Sequence, residues 1–292
     1  MSDYHLHLHP HADDDRPGPP VGEYPAGHIE AYVETLMRRG GGELGFTEHL
    51  YRCAEAQPVL GRFWEDGTDP DTAKFTEEMV RTDQGLSLEG YVTEIVAAKE
   101  RGLPVKLGLE VDFFPETIDA VLELIAPYPW DFLIGSVHWV GGWSVDSEGS
   151  TVEFERRGID TAWEQYFALE AELAASGSVD VLAHVDVVKK YGYRPVSEPL
   201  ELYASVIEAA VSSGMAVEVS SQGLRKPVGE IYPSPIFLRM FQEAGVPITL
   251  ASDGHRPEEA GYAHDQVVSA ARDAGYTAKL HFDRRSPTEI VL

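Results

Sequence analysis

Short apolar runs alternate with longer amphipathic segments along most of the chain. The runs are four to seven residues long and end in polar residues, which predicts strands. The longer segments repeat apolar residues at three- and four-residue spacing, which predicts helices. The predicted strands are 2–7, 43–47, 104–109, 131–137, 179–183, 215–219, 246–251 and 279–282. The predicted helices are 28–39, 87–101, 115–125, 159–175, 196–213, 235–244 and 265–274.

This alternation is typical of parallel βαβ units, and in 292 residues it favours one closed α/β barrel over an open doubly wound sheet. Nearly every predicted strand ends in a polar residue, and a barrel brings all those ends to one mouth. Residues 50–86 have much charge and little periodicity, which predicts a long excursion over that mouth with one short helix near 75–80. Since no linker is apparent, residues 1–292 are expected to form a single domain.

Four histidines alternate with other residues near the start of the sequence, at positions 5, 7, 9 and 11. On a strand, His5 and His7 project from one face about 7 Å apart, which suits a shared metal ion. An expression tag or a surface histidine tract is the alternative, but Leu6 and Leu8 interrupt the histidines. The pattern therefore predicts a metal site.

Further candidate ligands stand at the ends of other predicted strands. A single one of them is more often an ordinary buried or surface residue, but their joint placement indicates a shared site. The full candidate set is His5, His7, His9, His11, His49, Glu110, His138, His184, Asp253 and His255. This number exceeds the needs of one ion and suits two or three ions with a bridging carboxylate. Glu48 and Asp186 adjoin candidate ligands and are expected to orient imidazoles.

Composition narrows the classes of partner. The formal net charge of −26 argues against nucleic acid or an anionic membrane as a partner, although it leaves a small anionic substrate open. Cys53 is the single cysteine of the sequence and has no partner for an intrachain disulfide. With no signal-peptide pattern and no transmembrane-length apolar run, a cytoplasmic location is expected.

Six motifs follow one another along the chain. They are Asp3-Tyr-His5-Leu-His7, Phe46-Thr-Glu-His49, Gly108-Leu-Glu110-Val-Asp, Gly135-Ser-Val-His138, Leu182-Ala-His184-Val-Asp and Ser252-Asp253-Gly-His255. In this order they resemble the polymerase-and-histidinol-phosphatase (PHP) superfamily of metal-dependent phosphoesterases, and within it the histidinol-phosphate phosphatases. The resemblance spans residues 3 to 255.

The resemblance implies a distorted (β/α)7-type barrel with three divalent ions, zinc, manganese or iron, at the C-terminal ends of the strands. His5, His7, Glu110 and Asp253 would hold the first ion, and Glu110, His138 and His184 the second. The third would take His49, His255 and a histidine of the early loop. Either His9 or His11 could fill that last role, and Pro10-His11-Ala12 looks closer to the family pattern.

The segment from Ser221 to Ser234 resembles the histidinol-phosphatase loop that carries a phosphate-binding arginine, here Arg225. A second arginine is expected in Phe154-Glu-Arg156-Arg157, with Arg156 preferred, since a guanidinium matches two phosphate oxygens. The implied reaction is hydrolysis of L-histidinol phosphate, in histidine biosynthesis, by a hydroxide that bridges metal ions. Asp186 is a candidate proton donor to the leaving group.

Other functions stay open. The chain could hydrolyse another small phosphate ester, or less readily act as an exonuclease or phosphodiesterase, or bind metal without catalysis. A binuclear amidohydrolase usually has lysine at the bridging position, where this chain has Glu110. If the substrate is histidinol phosphate, its cationic amine is expected to meet Glu230, Asp112 or Asp186. The sequence leaves the oligomeric state open.

Overall fold

The described part of the chain, residues 2–12, 16 and 18–292 of this computed structural model, alternates strands with helices. The strands there are β1 (Ser2–Leu6), β2 (Glu43–Phe46), β3 (Val105–Leu107), β4 (Glu110–Asp112), β5 (Ile134–Ser136), β6 (Trp139–Val140), β7 (Trp143–Ser144), β8 (Val181–Leu182), β9 (Ala216–Ser220), β10 (Ile248–Ala251), β11 (Ala278–Asp283) and β12 (Ser286–Val291). The helices there are α1 (His28–Arg38), α2 (Gln57–Leu60), α3 (Pro70–Asp83), α4 (Leu88–Glu100), α5 (Ile118–Ile125), α6 (Val152–Arg157), α7 (Ile159–Ser176), α8 (Leu200–Ser213), α9 (Pro235–Glu243) and α10 (His264–Ala274).

Two parallel sheets join into an irregular ring. One has the strand order β1-β2-β3, and the other has the order β10-β9-β8-β5-β4. Isolated parallel bridges join them on both sides, between Leu6 and Gly254 and between His49 and Glu110. Only Gly108 and Leu109 separate β3 from β4, so these two strands act as one interrupted strand. Parallel strands that close in this way direct all their C-terminal ends to one mouth.

Two clusters of buried side chains fill the fold. Two neighbouring residues of β9 belong to different clusters: Ala216 is in the smaller cluster and Val217 is in the larger one. Because adjacent residues of a strand face opposite sides, the smaller cluster fills the inside of the ring and the larger lies between the ring and the helices. Gly45 and Gly108 make room inside, since a Cβ at either would lie within 2.6 Å of the Phe132 ring.

The excursion over the mouth differs from the sequence prediction in the length of its helix, because α3 has 14 residues whereas a short helix near 75–80 was predicted. It begins at Asp69, whose side chain accepts a hydrogen bond from the Asp71 backbone N–H. Its buried side includes Thr72, Thr76 and Asp83. Because these buried residues are polar, the helical repeat does not show as a repeat of apolar residues in the sequence.

A β-hairpin of β11 and β12 packs against the smaller cluster through Leu280 and Phe282 of β11. The sequence predicted β11 but not β12, because every residue of β12 is exposed and gives no apolar alternation. The short pair β6 and β7 was also not predicted. Within the described residues, no helix has the length and apolar character needed to cross a membrane.

Candidate metal centre

The predicted ligands come together at the mouth of the ring. His5 lies on β1 and Glu110 on β4, while the others follow the ends of β1, β2, β5, β8 and β10. All are buried except His255, whose side chain is 13% exposed, and His11, whose side chain is 35% exposed. The apolar strands therefore place polar side chains at their C-terminal ends, at the mouth of the ring.

Glu110 occupies the middle of this cluster. Its Oε2 atom lies 3.4 Å from His5 Nε2 and 3.5 Å from His7 Nε2. Its Oε1 atom lies 3.1 Å from His184 Nε2 and 3.3 Å from His138 Nε2. The two oxygens thus face different pairs of imidazoles, which is the arrangement expected of a carboxylate shared between two ions.

Ligand atoms that lie within 4.8 Å of one another form four overlapping groups. These are His7, His49 and His255; His5, His7 and Glu110; His5, His184 and Asp253; and His49, Glu110 and His138. The overlap places His49 beside Glu110 and His138 as well as beside His255. The partition implied by the family resemblance placed His49 only with His255 and the early-loop histidine, and not with Glu110 or His138.

The unpaired polar atoms of the cluster fit metal ions. Within the part of the chain that the structure describes, the following buried atoms have no hydrogen-bond partner: Glu110 Oε2, Asp253 Oδ1, His255 Nε2 and both ring nitrogens of His49. His49 Nδ1 lies 2.7 Å from Glu110 Oε2, but the pair lacks the angles of a hydrogen bond. Since buried polar groups are nearly always paired, nitrogen and oxygen donors left free in one place fit divalent transition metals.

A second set of carboxylates orients the imidazoles. Glu218 Oε2 lies 2.8 Å from His5 Nδ1, and its Oε1 accepts the backbone N–H of His184. Asp112 lies 2.8 Å from His138 Nδ1. Each contact occupies Nδ1 and leaves Nε2 directed at the cluster. Glu218 was not predicted from the sequence, although a single acidic residue inside the apolar strand Ala-Val-Glu-Val-Ser indicates a buried carboxylate.

Burial and neighbouring charges set the protonation of the cluster. Burial lowers the pKa of His49 to about 3. Burial and the neighbouring His7 also hold the pKa of His255 well below its ordinary value. Burial opposes ionisation of Glu110, but His49 and His5 outweigh it and keep the pKa of that carboxyl well below its usual range. His49 and His255 are therefore neutral at pH 7, which is the form of imidazole that binds metals.

The structure separates His9 from His11. His9 is buried, and its Nδ1 contacts Glu48 while its Nε2 contacts the backbone carbonyl of Glu23. The His11 ring centroid instead lies 4.6 Å from that of His255 and 5.1 Å from that of His49. Its Nδ1 lies 2.7 Å from Asp83 Oδ2. His11 is therefore the early-loop histidine that reaches the cluster.

A cavity of about 1000 Å³ opens above the cluster. Its wall carries Arg225, Lys190 and Lys226, of which only Arg225 was expected from the sequence. Arg225 Nη2 donates to the backbone carbonyls of Ser252 and Asp253, at 2.7 and 2.8 Å. Lys190 Nζ lies 3.0 Å from Asp146 Oδ2. These three cations, with Arg16 of the same wall as a fourth, lie beside a group of metal ligands and suit an anionic ligand such as phosphate.

Arg156 and Asp186 do not line this cavity, so no contact described here supports the roles expected for them. Arg156 lies on α6, where its guanidinium pairs with Glu153 and Asp69. The neighbouring Arg157 pairs with Glu153 as well. Asp186 is buried beside Lys189 and accepts the backbone N–H of Ser234.

The carboxylates expected to receive a substrate amine also lie outside the cavity wall. Glu230 pairs with Lys189 and Arg194, and Asp112 is buried against His138. Asp186, the third of them, is held by Lys189. The wall instead carries Glu78, Asp83, Asp146, Glu148 and Glu259. Most of these come from α3, where only a short helix near 75–80 was predicted, and from the segment after β7, where no element was predicted.

Comparison with known proteins points to one family. The PHP domain model matches residues 25–222. A probable histidinol-phosphatase of Deinococcus radiodurans is 36% identical over 278 residues, which covers 94% of each chain. The histidinol-phosphatase of Bacillus subtilis is 26% identical, over 82% of this chain and 91% of its own.

Solved structures give the same result for the fold. Histidinol phosphate phosphatase from Lactococcus lactis, complexed with zinc, L-histidinol and phosphate, matches with a TM-score of 0.74 at 21% identity, over 98% of each chain. A putative histidinol phosphatase from Listeria monocytogenes matches with a TM-score of 0.71 at 19% identity, over 91% of this chain and 99% of its own. These matches confirm the predicted α/β architecture.

Proposed function

This chain belongs to the PHP domain family, and from that premise we propose that it is a metal-dependent phosphomonoesterase acting on L-histidinol phosphate. The products would be L-histidinol and phosphate, a step of histidine biosynthesis. One observation carries the proposal: metal ligands centred on Glu110 and four cationic side chains share one cavity. Both of the relatives described above are named for this activity.

The proposed cofactor is three divalent ions, of zinc, manganese or iron. His5, His7, His11, His49, Glu110, His138, His184, Asp253 and His255 would hold them. When bound, such ions lower the pKa of water, neutralise phosphoryl oxygens and stabilise the charge that develops at phosphorus. Glu110 would be shared between ions, since its two oxygens face different imidazoles.

The side chains of the cavity wall would hold the ester. Among the described residues, Arg225 Nη1 is buried without a hydrogen-bond partner, although Glu259 Oε2 lies 3.5 Å away. It can donate to a phosphoryl oxygen while Nη2 stays on the Ser252 and Asp253 carbonyls. Lys190 would add a second positive charge. Burial opposes its ammonium form, but Asp146 outweighs burial and raises the pKa of Lys190, so this residue stays charged.

The acidic part of the wall would receive the cationic end of histidinol phosphate. Asp146 and Asp83 already meet Lys190 and His11, respectively. Glu78 and Glu148 are exposed on the wall, and Glu78 contacts only Lys74 at 3.8 Å among the ion pairs of the described residues. Glu78 and Glu148 are therefore the preferred partners of the substrate amine and imidazole.

A phosphate-release screen of the metal-reconstituted protein tests the proposal. Histidinol phosphate should exceed glycerol phosphate in kcat/KM by at least about tenfold, equivalent to one charged contact of about 1.4 kcal/mol. The variant Glu78→Gln with Glu148→Gln should reduce that preference without abolishing hydrolysis of glycerol phosphate. Equal turnover of the two esters would make the chain a phosphatase of another small ester. Faster turnover of a phosphodiester would contradict the monoesterase proposal.

A further inference from the structure

Hydrolysis of an alkyl phosphate needs a proton for the leaving oxygen, because an alkoxide is a poor leaving group. Asp186 cannot supply it directly, since it lies outside the cavity. Three other proton-bearing groups of the wall are engaged with acceptors of the protein. The Tyr51 hydroxyl donates to Asp83 at 2.8 Å, the Tyr191 hydroxyl donates to the Asp146 carbonyl at 3.1 Å, and Lys190 Nζ pairs with Asp146.

Lys226 differs from these residues. It lines the cavity and is partly exposed, directly after the turn that ends at Arg225. Among the residues described by the structure, its ammonium has no hydrogen bond and no ion pair. An uncommitted ammonium in the cavity can turn toward a bound ester without breaking an internal contact.

The surroundings of Lys226 also favour loss of its proton. The positive charge of Lys190 and burial together lower the pKa of Lys226. Arg225 acts in the same direction, whereas Asp253 and Asp146 act against it. A lysine with a lowered pKa is a stronger acid, and its acidity lies closer to the working pH.

On the basis of the function proposed above, we propose that Lys226 is the proton donor to the leaving oxygen. As hydroxide derived from water forms a bond to phosphorus, the bond between phosphorus and the ester oxygen breaks. The electron pair of that bond goes to the oxygen, which takes one proton from Lys226 Nζ and leaves as the alcohol. Neutral Lys226 then regains a proton from solvent water.

Two substrates and three variants test this assignment. The substrates are an alkyl phosphomonoester and p-nitrophenyl phosphate, whose nitrophenolate leaves without a proton. Lys226→Met removes the charge and the proton, whereas Lys226→Arg keeps the charge in a group that does not deprotonate. Lys190→Met is the matched control, because it removes another cavity ammonium that we place beside the phosphate.

Both Lys226 variants should lower kcat for the alkyl ester by about 100-fold or more, and for p-nitrophenyl phosphate by less than about threefold. Lys190→Met should slow both substrates by a similar factor. Equal losses on both substrates in Lys226→Met, full rescue by Lys226→Arg, or the same selectivity in Lys190→Met would overturn the assignment. A wild-type protein that hydrolyses neither ester would instead contradict the proposed function.

A measurement on the wild type does not depend on how the variants fold. Since the donor must be protonated, kcat for the alkyl ester should fall on the alkaline side of the pH profile. No such fall in kcat should occur for p-nitrophenyl phosphate. If kcat falls at the same alkaline pH for both substrates, the titrating group is not Lys226.

Discussion

Replacement of Glu218 by glutamine should weaken metal binding, although Glu218 is not itself a proposed ligand. Its two oxygens serve two different parts of the site, His5 Nδ1 and the backbone N–H of His184, each at 2.8 Å. A glutamine has one oxygen and one amide nitrogen, so it cannot accept at both positions. Each orientation of the amide therefore disrupts one of these two contacts, with His5 or with His184.

If the glutamine oxygen faces His184, its NH2 group faces His5 Nδ1. His5 must then accept at Nδ1 and carry its proton on Nε2, the atom that lies 3.4 Å from Glu110 Oε2. A protonated Nε2 cannot bind metal. If the amide is reversed, two N–H groups face each other in a buried place, which costs about 1–3 kcal/mol. Loss of such an orienting partner typically lowers metal affinity about 10–100-fold, or about 1.4–2.8 kcal/mol.

Competition with a chromophoric chelator at fixed pH would measure this loss. Glu170→Gln is the matched control, because Glu170 is also fully buried but lies on α7 and bonds to the Tyr166 hydroxyl. Wild-type affinity in Glu218→Gln would refute the orienting role. An equal loss in Glu170→Gln would attribute the effect to general destabilisation.

Three further predictions concern other residues. Glu110→Gln should remove more than one ion per chain, because its two oxygens face different imidazoles; elemental analysis that finds one ion lost would contradict a shared ligand. His11→Ala should lower the bound metal with little effect on Tm, whereas His9→Ala, which removes buried contacts to Glu48 and Glu23, should lower Tm. Burial raises the pKa of Glu170 well above its usual value, so folding favours its protonated form and wild-type stability falls as pH rises above the unfolded-state pKa. The stability of Glu170→Gln relative to wild type should therefore rise with pH, by at most about 1.4 kcal/mol per unit in denaturant titrations, and a constant difference would refute this.

The positions of the strand ends could be predicted from the sequence more accurately than the directions in which the side chains beyond them point. His184 was identified because it follows an apolar strand, and its neighbours in space follow other such strands. Asp186 stands only two residues further on, but it directly precedes the turn Val187–Lys189, and its carboxylate pairs with Lys189. Similarly, Arg156 was favoured for its residue type, whereas its helix places Glu153 three residues earlier within reach.

The cavity wall was the part least visible in the sequence. Lys190 and Lys226 lie in loops where charged residues are ordinary, and nothing in their spacing indicates a common cavity. The carboxylates of the wall come largely from α3 and from the segment after β7. Those parts pack through polar or irregularly spaced residues, and their placement depends on tertiary contacts rather than on a local period.

The closure of the ring at β1 has a consequence for the order of folding. Asp3 accepts hydrogen bonds from the Ser252 backbone, 249 residues away, and from the Gly261 backbone. During synthesis, the strand that carries His5 can pair with β2 early, but it can close against the far side of the ring only after the ribosome has released Ser252 and Gly261. Contacts of such long sequence separation form slowly and leave partly folded chains exposed to aggregation. Assembly of the metal ligands should consequently be among the last events of folding, and ions added early to a refolding mixture should have little to bind until β1 has docked.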